Sequence, residues 1–346
     1  MVARNGYSFF VRDMAIDLGT ANSLVYVTRR GVVMFEPSVV AIEEVSGEVL
    51  AVGNEAKQMI GRTPGAIRAV RPLKQGVIAN FEMTKHLLRY LIKRGCRGRA
   101  LVRPRVIVSV PADVTEVERR AVIDATIEAG ARAAFLIEEP VAAAIGVGLP
   151  VQEPTGSMVV DVGGGMTNAA VISLGGIVSG CSVRVGGDDM DEAIVRHVRR
   201  NYNLMIGERT AEDVKIGIGS VWPLEEELSM EVRGRDYVTG LPKSIILASQ
   251  EVREALSEPM AAIAAGVRST LENTPPELIG DVIDKEIVVT GGGALLRGID
   301  RYISKETGMP VRCADNPLMS VVMGAGKALE EIDLLERVAN ASRRGR

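Results

Sequence analysis

The sequence predicts an α/β fold made of two similar domains, each a mixed sheet with flanking helices. A unit of strand, glycine turn and strand occupies residues 14–27 and recurs at residues 158–172, with an aspartate near the end of the first strand both times. A third glycine turn, at residues 291–293, follows another buried apolar strand. Apolar residues make up 47% of the chain but aromatic residues only 3%, so aliphatic side chains must build a core of the kind found in buried parallel sheets.

Further segments of the first half alternate between strand and helix signals. Residues 105–110 and 134–137 are predicted to be strands because they are short and apolar. Thr115 and Glu118 form a capping box that should begin a helix. Pro140 suits the first turn of the alanine-rich helix that follows the second of these strands. This alternation is the pattern of βαβ units.

The spacing of the two hairpins indicates a duplicated pair of domains rather than a solenoid, whose repeats are roughly 20 to 50 residues long. Two domains also agree with the length of 346 residues, because ordinary domains contain roughly 100 to 200 residues. The boundary is expected in a helix crossing near residues 145–155, where glycine and proline residues cluster.

Charge and cysteine content exclude several classes of function. The net charge of −3 gives no global electrostatic reason to bind nucleic acid, so no nucleic-acid partner is expected. Cys96, Cys181 and Cys313 lie far apart without a C-x-x-C pair, which disfavours a zinc site or a disulfide framework and fits a reducing cytoplasm. No apolar run reaches the roughly 18 to 20 residues of a membrane span, and no signal peptide is recognised. We expect a cytoplasmic protein that is at most peripheral to a membrane.

The glycine-containing turns of the two hairpins are candidate phosphate sites. Glycines within residues 17–22 and 161–167 allow backbone N–H groups to approach phosphate oxygens. Two such hairpins facing each other could clamp a polyphosphate, with Asp17 and Asp161 holding a hydrated Mg²⁺. One hairpin alone would more often be an ordinary tight turn that contains an aspartate. The two matches and the third glycine turn together favour a phosphate site.

Three segments resemble the phosphate and adenosine turns of the actin-like superfold, which includes actin, Hsp70 and sugar kinases. They are Asp17-Leu18-Gly19-Thr20, Asp161-Val162-Gly163-Gly164-Gly165 and Gly291-Gly292-Gly293. From about residue 12 to 332 the chain is more specifically similar to the MreB/Mbl family of bacterial filament proteins. The matching segments are residues 16–22, 36–42, 138–140, 142–146, 172–178, 207–212, 240–243 and 290–298. Residues 12–15 resemble actinobacterial members, and the sequence fits both MreB and its paralogue Mbl.

The resemblance implies an actin-like ATPase fold with an interdomain nucleotide cleft. Domain I would comprise residues 1–150, with the C-terminal helix 320–346 returning to it, and domain II would comprise residues 151–319. Small subdomains are implied at about residues 33–75 and 186–248. The implied cofactors are ATP and Mg²⁺.

The family's nucleotide site maps onto this chain residue by residue. The residues implied to bind nucleotide are Gly19, Thr20, Ala21, Asn22, Gly163, Gly164, Gly165, Glu208, Glu212, Lys215, Gly291, Gly292, Gly293 and Ala294. The implied catalytic residues are Glu139, Asp161, Asp17 and Thr167. Asp17 and Asp161 are also the implied Mg²⁺ ligands, through water. Glu139 would orient or deprotonate the water that attacks the γ-phosphate.

Two of these assignments have simpler structural explanations. Glu212 and Lys215 are three positions apart and could form an ion pair on a solvated helix face. Glu139 could be an acid stabilised by the dipole at a helix N-terminus. Position alone does not separate these explanations, and the resemblance favours nucleotide binding and catalysis.

The chain departs from the family pattern after the second glycine turn. The family usually has Thr-Thr-Glu there, whereas this chain has Met166-Thr167-Asn168. A thioether donates no hydrogen bond and is a poor acceptor, so ATP hydrolysis is expected to be weak while phosphate binding by backbone N–H groups is retained. Gln75 and Asn80 also stand where the family usually has aspartate.

Two segments suggest contact with a membrane. Residues 7–11 concentrate aromatic side chains between Arg4 and Arg12, which suits a bilayer interface but also an extra edge strand. Residues 93–99 form a basic loop, with Arg103 and Arg105 close behind. Such a loop is usually solvated, but it could attract anionic headgroups.

The resemblance implies an ATP-dependent cytoskeletal protein that forms homopolymeric filaments. Its implied partners are other copies of itself, the inner face of the cytoplasmic membrane, and membrane proteins of wall synthesis and morphogenesis. A pseudo-ATPase scaffold that uses ATP as a structural ligand is the main alternative, because of Met166. A small-molecule kinase and an Hsp70-type chaperone are less favoured, since no separate catalytic base and no substrate-binding domain are recognised.

Overall fold

The computed structural model describes residues 13–62, 64–97 and 103–332. The described chain forms two compact units, one that extends to Leu149 and resumes at Met319, and one that comprises Pro150–Leu318. Each unit contains a five-stranded mixed sheet and a separate three-stranded antiparallel sheet. The aromatic segment 7–11 with its flanking arginines, residues 98 and 99 of the basic loop, and the end of the C-terminal helix predicted at 320–346 lie outside the described residues.

The secondary structure of the described residues alternates between strands and helices. The strands are β1 (Met14–Leu18), β2 (Asn22–Val27), β3 (Gly31–Pro37), β4 (Val40–Glu43), β5 (Val49–Val52), β6 (Ile67–Val70), β7 (Leu73–Lys74), β8 (Val77–Ile78), β9 (Arg105–Val110), β10 (Ala133–Glu138), β11 (Ser157–Val162), β12 (Thr167–Ser173), β13 (Gly176–Val183), β14 (Leu204–Met205), β15 (Ser229–Asp236), β16 (Pro242–Ala248), β17 (Ile287–Thr290) and β18 (Val311–Cys313). The helices are α1 (Asn54–Met59), α2 (Phe81–Gly95), α3 (Glu116–Glu128), α4 (Glu139–Gly146), α5 (Gly187–Tyr202), α6 (Glu208–Ile218), α7 (Ser249–Ala255), α8 (Ser257–Glu272), α9 (Pro276–Lys285), α10 (Ile299–Thr307) and α11 (Ser320–Ala328).

The two large sheets have the same topology. The first has the strand order β10-β9-β1-β2-β3, and the second has the order β18-β17-β11-β12-β13. In each, an antiparallel hairpin pairs through its first strand with a parallel strand, which in turn pairs with a second parallel strand. The hairpins predicted at residues 14–27 and 158–172 are confirmed, and so is the α/β fold with a duplicated sheet.

The parallel strands form the centre of each core. Every residue of β11 is buried, and β9 is buried from its second residue onward. Helices cover these strands with aliphatic side chains; in the first unit α2 contributes Leu87, Leu88 and Leu91, all with no exposed area. Full burial of such a side chain stabilises the fold by about 1.5–3 kcal/mol, so the scarcity of aromatic residues does not prevent a stable core.

Two predicted helix starts are explained by capping. Thr115 accepts a hydrogen bond from the Glu118 backbone, and the Glu118 carboxylate accepts one from the Thr115 backbone, so the predicted capping box is confirmed. Asn80 caps α2 by accepting from the Met83 N–H at 3.0 Å. Because asparagine and aspartate are equally good N-caps, the departure from the family at position 80 leaves this helix start intact.

The helix expected to cross residues 145–155 ends earlier than predicted. Helix α4 stops at Gly146, and Gly148 takes the left-handed conformation with φ of 81°. The Leu149 N–H donates to the Ala144 oxygen at 3.0 Å and the Gly148 N–H donates to the Ile145 oxygen at 3.2 Å. This is a Schellman motif, which satisfies the last carbonyl groups and ends the helix.

The basic loop has fewer available charges than the sequence suggested. Arg105 lies in β9, and its guanidinium forms an ion pair with Asp13 at 2.6 Å. Both side chains are mostly buried. The expectation that Arg105 extends the cationic surface was therefore wrong, because this charge is paired within the sheet. No helix among the described residues combines the length and apolar character that crossing a bilayer requires.

Helices α4 and α11 pack with their backbones in direct contact. A Cβ atom added to Gly324 would lie 1.7 Å from the Ala142 oxygen, and one added to Gly146 would lie 1.8 Å from the Ser320 oxygen. Lys327 at the end of α11 donates to the Ile145 oxygen at 2.9 Å. Helix α11 thus packs along one face of α4 and also binds its C-terminal carbonyl groups.

Replacing Gly324 with alanine should destabilise the protein, although alanine is the better helix former. The helices must separate to admit the methyl group, at a cost on the order of 1–3 kcal/mol or more. Thermal unfolding followed by circular dichroism would show a lower midpoint.

Gly280→Ala in α9 is the matched control, because a Cβ atom there meets no heavy atom within 4 Å. It should raise stability by about 0.5–1 kcal/mol. Equal unfolding midpoints for the two variants would contradict the close packing of α4 and α11.

Candidate functional site

The first hairpin places Asp17 at the carboxyl edge of the first sheet. Asp17 is the fourth residue of β1, and its carboxylate accepts a hydrogen bond from the Ser109 hydroxyl of β9 at 2.8 Å. Glu139 follows directly after β10 and begins α4, with 8% of its surface exposed. Because β1, β9 and β10 are parallel, these residues lie at the same ends of neighbouring strands, where ligands of α/β sheets usually bind.

Asp17 is a partly buried carboxyl without a counter-ion among the described residues. Burial raises the pKa of its carboxyl from 3.8 to about 6, and the hydrogen bond from Ser109 opposes that shift. In the described part of the chain, no lysine, arginine or histidine forms an ion pair with Asp17. A carboxylate in this situation fits the role of a ligand to Mg²⁺, directly or through water, because the cation would supply the missing positive charge.

The turn after Asp17 is fixed through its carbonyl groups. Ser38, at the exit of β3, donates from its hydroxyl to the Gly19 oxygen at 2.6 Å and from its backbone N–H to the Ala21 oxygen at 2.9 Å. Within residues 13–62, 64–97 and 103–332, the backbone N–H groups of Thr20 and Ala21 donate to no protein acceptor. Asn22 begins β2 directly after them. Free N–H groups on a fixed turn are what a phosphate requires.

The Thr20 side chain connects this turn to the short hairpin formed by β7 and β8. Its hydroxyl accepts a hydrogen bond from the Gly76 N–H at 3.0 Å. Gln75 and Gly76 form the turn between β7 and β8, with φ of 49° and 77°. Positive φ at both central residues is typical of a type I′ turn, in which glutamine is less favourable than asparagine, aspartate or glycine. Thr20 can still donate its own hydroxyl proton.

The turn of the β11-β12 hairpin is fixed in the same way, through its carbonyl groups. Gly163 donates to the Met166 oxygen at 2.9 Å, which closes the turn. The N–H groups of Gly187 and Asp188, at the start of α5, donate to the oxygens of Gly163 and Gly164 at 3.0 and 2.7 Å. The N–H groups of Gly164 and Gly165 donate to no acceptor within the described residues.

The close approach of α5 depends on a glycine outside the predicted site. A Cβ atom on Gly186 would lie 2.6 Å from the Gly164 oxygen and 2.7 Å from the Gly163 oxygen. Any side chain at Gly186 would therefore push the start of α5 away from the turn.

The three residues after the second glycine turn are all buried. Met166 has 5% of its surface exposed, and its side chain replaces the hydroxyl that the family pattern predicts. Thr167 donates its hydroxyl to the Val185 oxygen at 2.8 Å, so this donor is used within the fold. Asn168 accepts from the Ser182 hydroxyl at 2.7 Å. The catalytic role implied for Thr167 stays a prediction.

The third glycine turn lies against Asp161. Asp161 is 6% exposed and pairs in register with Thr290 at the end of β17. Gly291 follows with φ of 79° and ψ of 177°, a conformation open almost only to glycine, and a Cβ atom there would lie 2.5 Å from Asp161 Oδ1. Gly292, Gly293 and Ala294 then lie in a short 3-10 helix, Gly292–Leu295. The structure thus brings the second and third glycine turns together around one carboxylate.

Lys215 forms a mostly buried ion pair instead of a solvated surface pair. Its ammonium lies 2.7 Å from Asp191 Oδ1 and donates to the Gly187 oxygen at 2.7 Å. Burial raises the pKa of Asp191 to about 6, although Lys215 acts in the opposite direction. Glu208 and Glu212 lie on the same helix, α6, in its first two turns. Lys215 therefore connects α6 to the first turns of α5.

Several residues around these turns were not found from the sequence. They are Ser38, Ser109, Gly186, Gly187 and Asp191. The one sequence signal for Ser109 is a lone hydroxyl within the apolar residues 106–110 of a parallel strand. Gly186 and Gly187 form a glycine pair before a helix, which is itself a signal for close backbone contact.

The sequence of this chain is similar to those of known proteins over nearly its whole length. The family model described as MreB/Mbl protein matches residues 11–337. The cell shape-determining protein MreB of Escherichia coli K12 is 54% identical over 331 residues, which span 94% of this chain and 95% of the relative. The cell shape-determining protein Mbl of Bacillus subtilis 168 is 47% identical over 328 residues, which span 95% and 98%.

Two solved structures are similar in fold to this chain. MreB5 of Spiroplasma citri bound to ADP has a TM-score of 0.89 and 40% identity, covering 93% of this chain and 97% of the other. The MamK double helical filament has a TM-score of 0.80 at 23% identity, covering 92% and 99%, and shows the shared fold alone. This chain belongs to the MreB/Mbl family of proteins with the actin-like fold.

Proposed function

We propose that this protein is an ATP-dependent cytoskeletal protein that forms filaments and contributes to cell shape. The observation that carries the proposal is the matching construction of the two phosphate turns. Each turn has its carbonyl groups bound from behind and its N–H groups free, and each follows a strand that ends near an aspartate. A pair of turns built in this way suits a ligand with several adjacent phosphates.

The known relatives support a nucleotide as that ligand. The two Spiroplasma citri MreB5 structures are described as bound to ADP and to AMPPNP. We propose that Gly19, Thr20, Ala21 and Asn22 bind the phosphates from one unit, and that Gly163, Gly164 and Gly165 bind them from the other. Glu208, Glu212, Lys215 and residues 291–294 would border the adenosine. Asp17 and Asp161 would hold Mg²⁺, which neutralises the phosphate charge during transfer.

Hydrolysis is proposed to depend on Glu139. This side chain lies at the carboxyl end of β10, on the same edge as Asp17, and a carboxylate there can orient or deprotonate an attacking water. Met166 removes a hydroxyl from the second turn and fills its place with a buried thioether. We therefore propose slow hydrolysis, and the same observation favours a pseudo-ATPase scaffold as the second candidate function.

Filament formation and membrane association are proposed from family membership. The curated relatives are described as cell shape-determining proteins. We propose homopolymeric filaments at the inner face of the cytoplasmic membrane that guide wall synthesis together with membrane proteins of morphogenesis. A small-molecule kinase is less well supported, because no catalytic base separate from the nucleotide turns is recognised.

Glu139→Gln should abolish phosphate release while leaving ATP binding and ATP-dependent pelleting in place. The amide keeps the size of the side chain but cannot accept a proton, and loss of a general base typically lowers rates by about 10²–10⁴-fold. Phosphate release and sedimentation by the purified protein would be measured together.

Glu138→Gln is the matched control for this experiment. Glu138 is the adjacent glutamate, but it forms an ion pair with Arg119 at 3.1 Å. It should retain wild-type turnover. Equal loss in both variants, or full activity in Glu139→Gln, would remove Glu139 from the mechanism; wild-type protein that pellets with ATP but releases no phosphate would establish the scaffold.

Met166→Thr should raise the turnover number several-fold without changing the dissociation constant for ATP. The hydroxyl restores a donor and acceptor near the γ-phosphate, whereas the backbone N–H groups are the same in both proteins. Single-turnover hydrolysis and nucleotide titration would measure the two quantities. The double variant with Glu139→Gln should be inactive, and unchanged turnover in the single variant would show that Met166 does not limit the reaction.

Asp17→Asn should stabilise the nucleotide-free protein at pH 7 by about 1–2 kcal/mol, while weakening Mg²⁺-dependent ATP binding. The pKa of Asp17 is raised from 3.8 to about 6, so its ionised form costs stability above pH 6 and this cost disappears as the pH falls towards 4. The asparagine oxygen can still accept from Ser109.

The gain in unfolding midpoint for Asp17→Asn should accordingly be large at pH 7 and small at pH 4. Thermal unfolding across this range, without nucleotide, would measure it. A gain that is independent of pH, or a loss at pH 7, would contradict an uncompensated, partly buried charge at Asp17.

A further inference from the structure

We infer that Ser38 is a positioning residue that orients the first phosphate turn for binding. This inference rests on the proposed nucleotide function, and it adds a residue outside the predicted site. Ser38 lies just after β3 and has no exposed area. It contacts the turn through two hydrogen bonds to Gly19 and Ala21, so its role can be separated from that of residues that would touch the nucleotide.

The direction of the Thr20 N–H follows from the bond between Ser38 and Gly19. The Gly19 carbonyl and the Thr20 N–H belong to one planar trans peptide group, so they point in opposite directions. The Ser38 hydroxyl holds the Gly19 oxygen at 2.6 Å on one side. The Thr20 N–H is thereby directed to the other side, where it meets no protein acceptor among the described residues.

Ser38 is itself oriented by a second buried serine. The hydroxyls of Ser23 and Ser38 lie 2.8 Å apart, and both side chains are fully buried. Ser38 has one hydroxyl proton, which it donates to Gly19, so Ser23 must be the donor between the two serines. The result is a chain from Ser23 to Ser38 to Gly19, in which each hydrogen bond polarises the next.

The second unit reaches the same result with different groups. There the oxygens of Gly163 and Gly164 accept from the N–H groups of Gly187 and Asp188, which lie shortly after β13. The same planar-peptide argument directs the N–H groups of Gly164 and Gly165 away from α5. In both units, the segment that follows the next strand, β3 or β13, binds the carbonyl groups of the turn. Among these hydrogen bonds, the one from the Ser38 hydroxyl is donated by a side chain, so a substitution by alanine removes it and keeps the backbone donors.

Ser38→Ala should weaken the binding of ATP and ADP by about three- to tenfold, the effect of one lost hydrogen bond. The affinity for adenosine, which lacks phosphate, should not change. A fluorescent ATP analogue would be titrated into the full-length protein, with unlabelled ATP, ADP and adenosine as competitors. A residue that only stabilises the fold would reduce the fraction of active protein, but it would not weaken phosphate-containing ligands selectively.

Ser157→Ala is the matched control. Ser157 in β11 is also fully buried, but its hydroxyl has no hydrogen-bond partner within the described residues. Its affinities for all three ligands should equal those of the wild type. Ser23→Ala should show a smaller selective loss, about twofold, because it weakens the chain without breaking the bond to Gly19.

The outcomes separate this inference from the proposed function. Wild-type protein that does not bind ATP would overturn the proposed nucleotide function. Wild-type binding with equal ATP affinities in Ser38→Ala and Ser157→Ala would overturn the role of Ser38 alone. If Ser38→Ala does not fold, Ser23→Ala decides the question: a selective loss for ATP and ADP supports the inference, and affinities equal to Ser157→Ala reject it.

Discussion

Direct contact between backbone segments, made possible by glycine, sets how the elements of the described structure pack together. The start of α5 meets the second glycine turn at Gly186, Gly291 meets the end of β11, and α4 meets α11 at Gly146 and Gly324. Each contact leaves no space for a Cβ atom. These positions therefore accept only glycine, and they fix the distances between elements more firmly than interchangeable aliphatic side chains can. The second glycine turn takes its geometry from the contact at Gly186.

The parts of the fold that depend on neighbouring residues could be predicted from the sequence. Both hairpins follow from apolar runs around glycine turns, and the start of α3 follows from the Thr115 and Glu118 capping box, because these signals are local. The early end of α4 was missed because a helix-ending glycine was read only as part of a wider cluster. Its effect depends on Gly148 adopting one particular conformation.

The parts of the site that depend on tertiary contacts could not be predicted in this way. Ser109 lies far along the chain from Asp17, and no spacing rule connects them. For Lys215 the sequence offered Glu212 as a partner, because that pair is three positions apart on one helix, whereas the structure gives it Asp191 on another helix. Arg105 was counted with a basic loop by proximity, but it pairs with Asp13 across the sheet. In each case the sequence identified a charge or hydroxyl without its partner.

The position of α11 in the chain has a consequence for biosynthesis. Helix α4, which begins with Glu139, is held by α11, and the ribosome makes α11 only after the whole of Pro150–Leu318. A nascent chain can therefore complete the second unit while α4 still lacks its neighbour. Packing of α4, and with it the position of Glu139, is therefore completed only after the second unit has been synthesised. A stop codon directly after Leu318 would leave a chain with a complete second unit and an α4 without its packing partner.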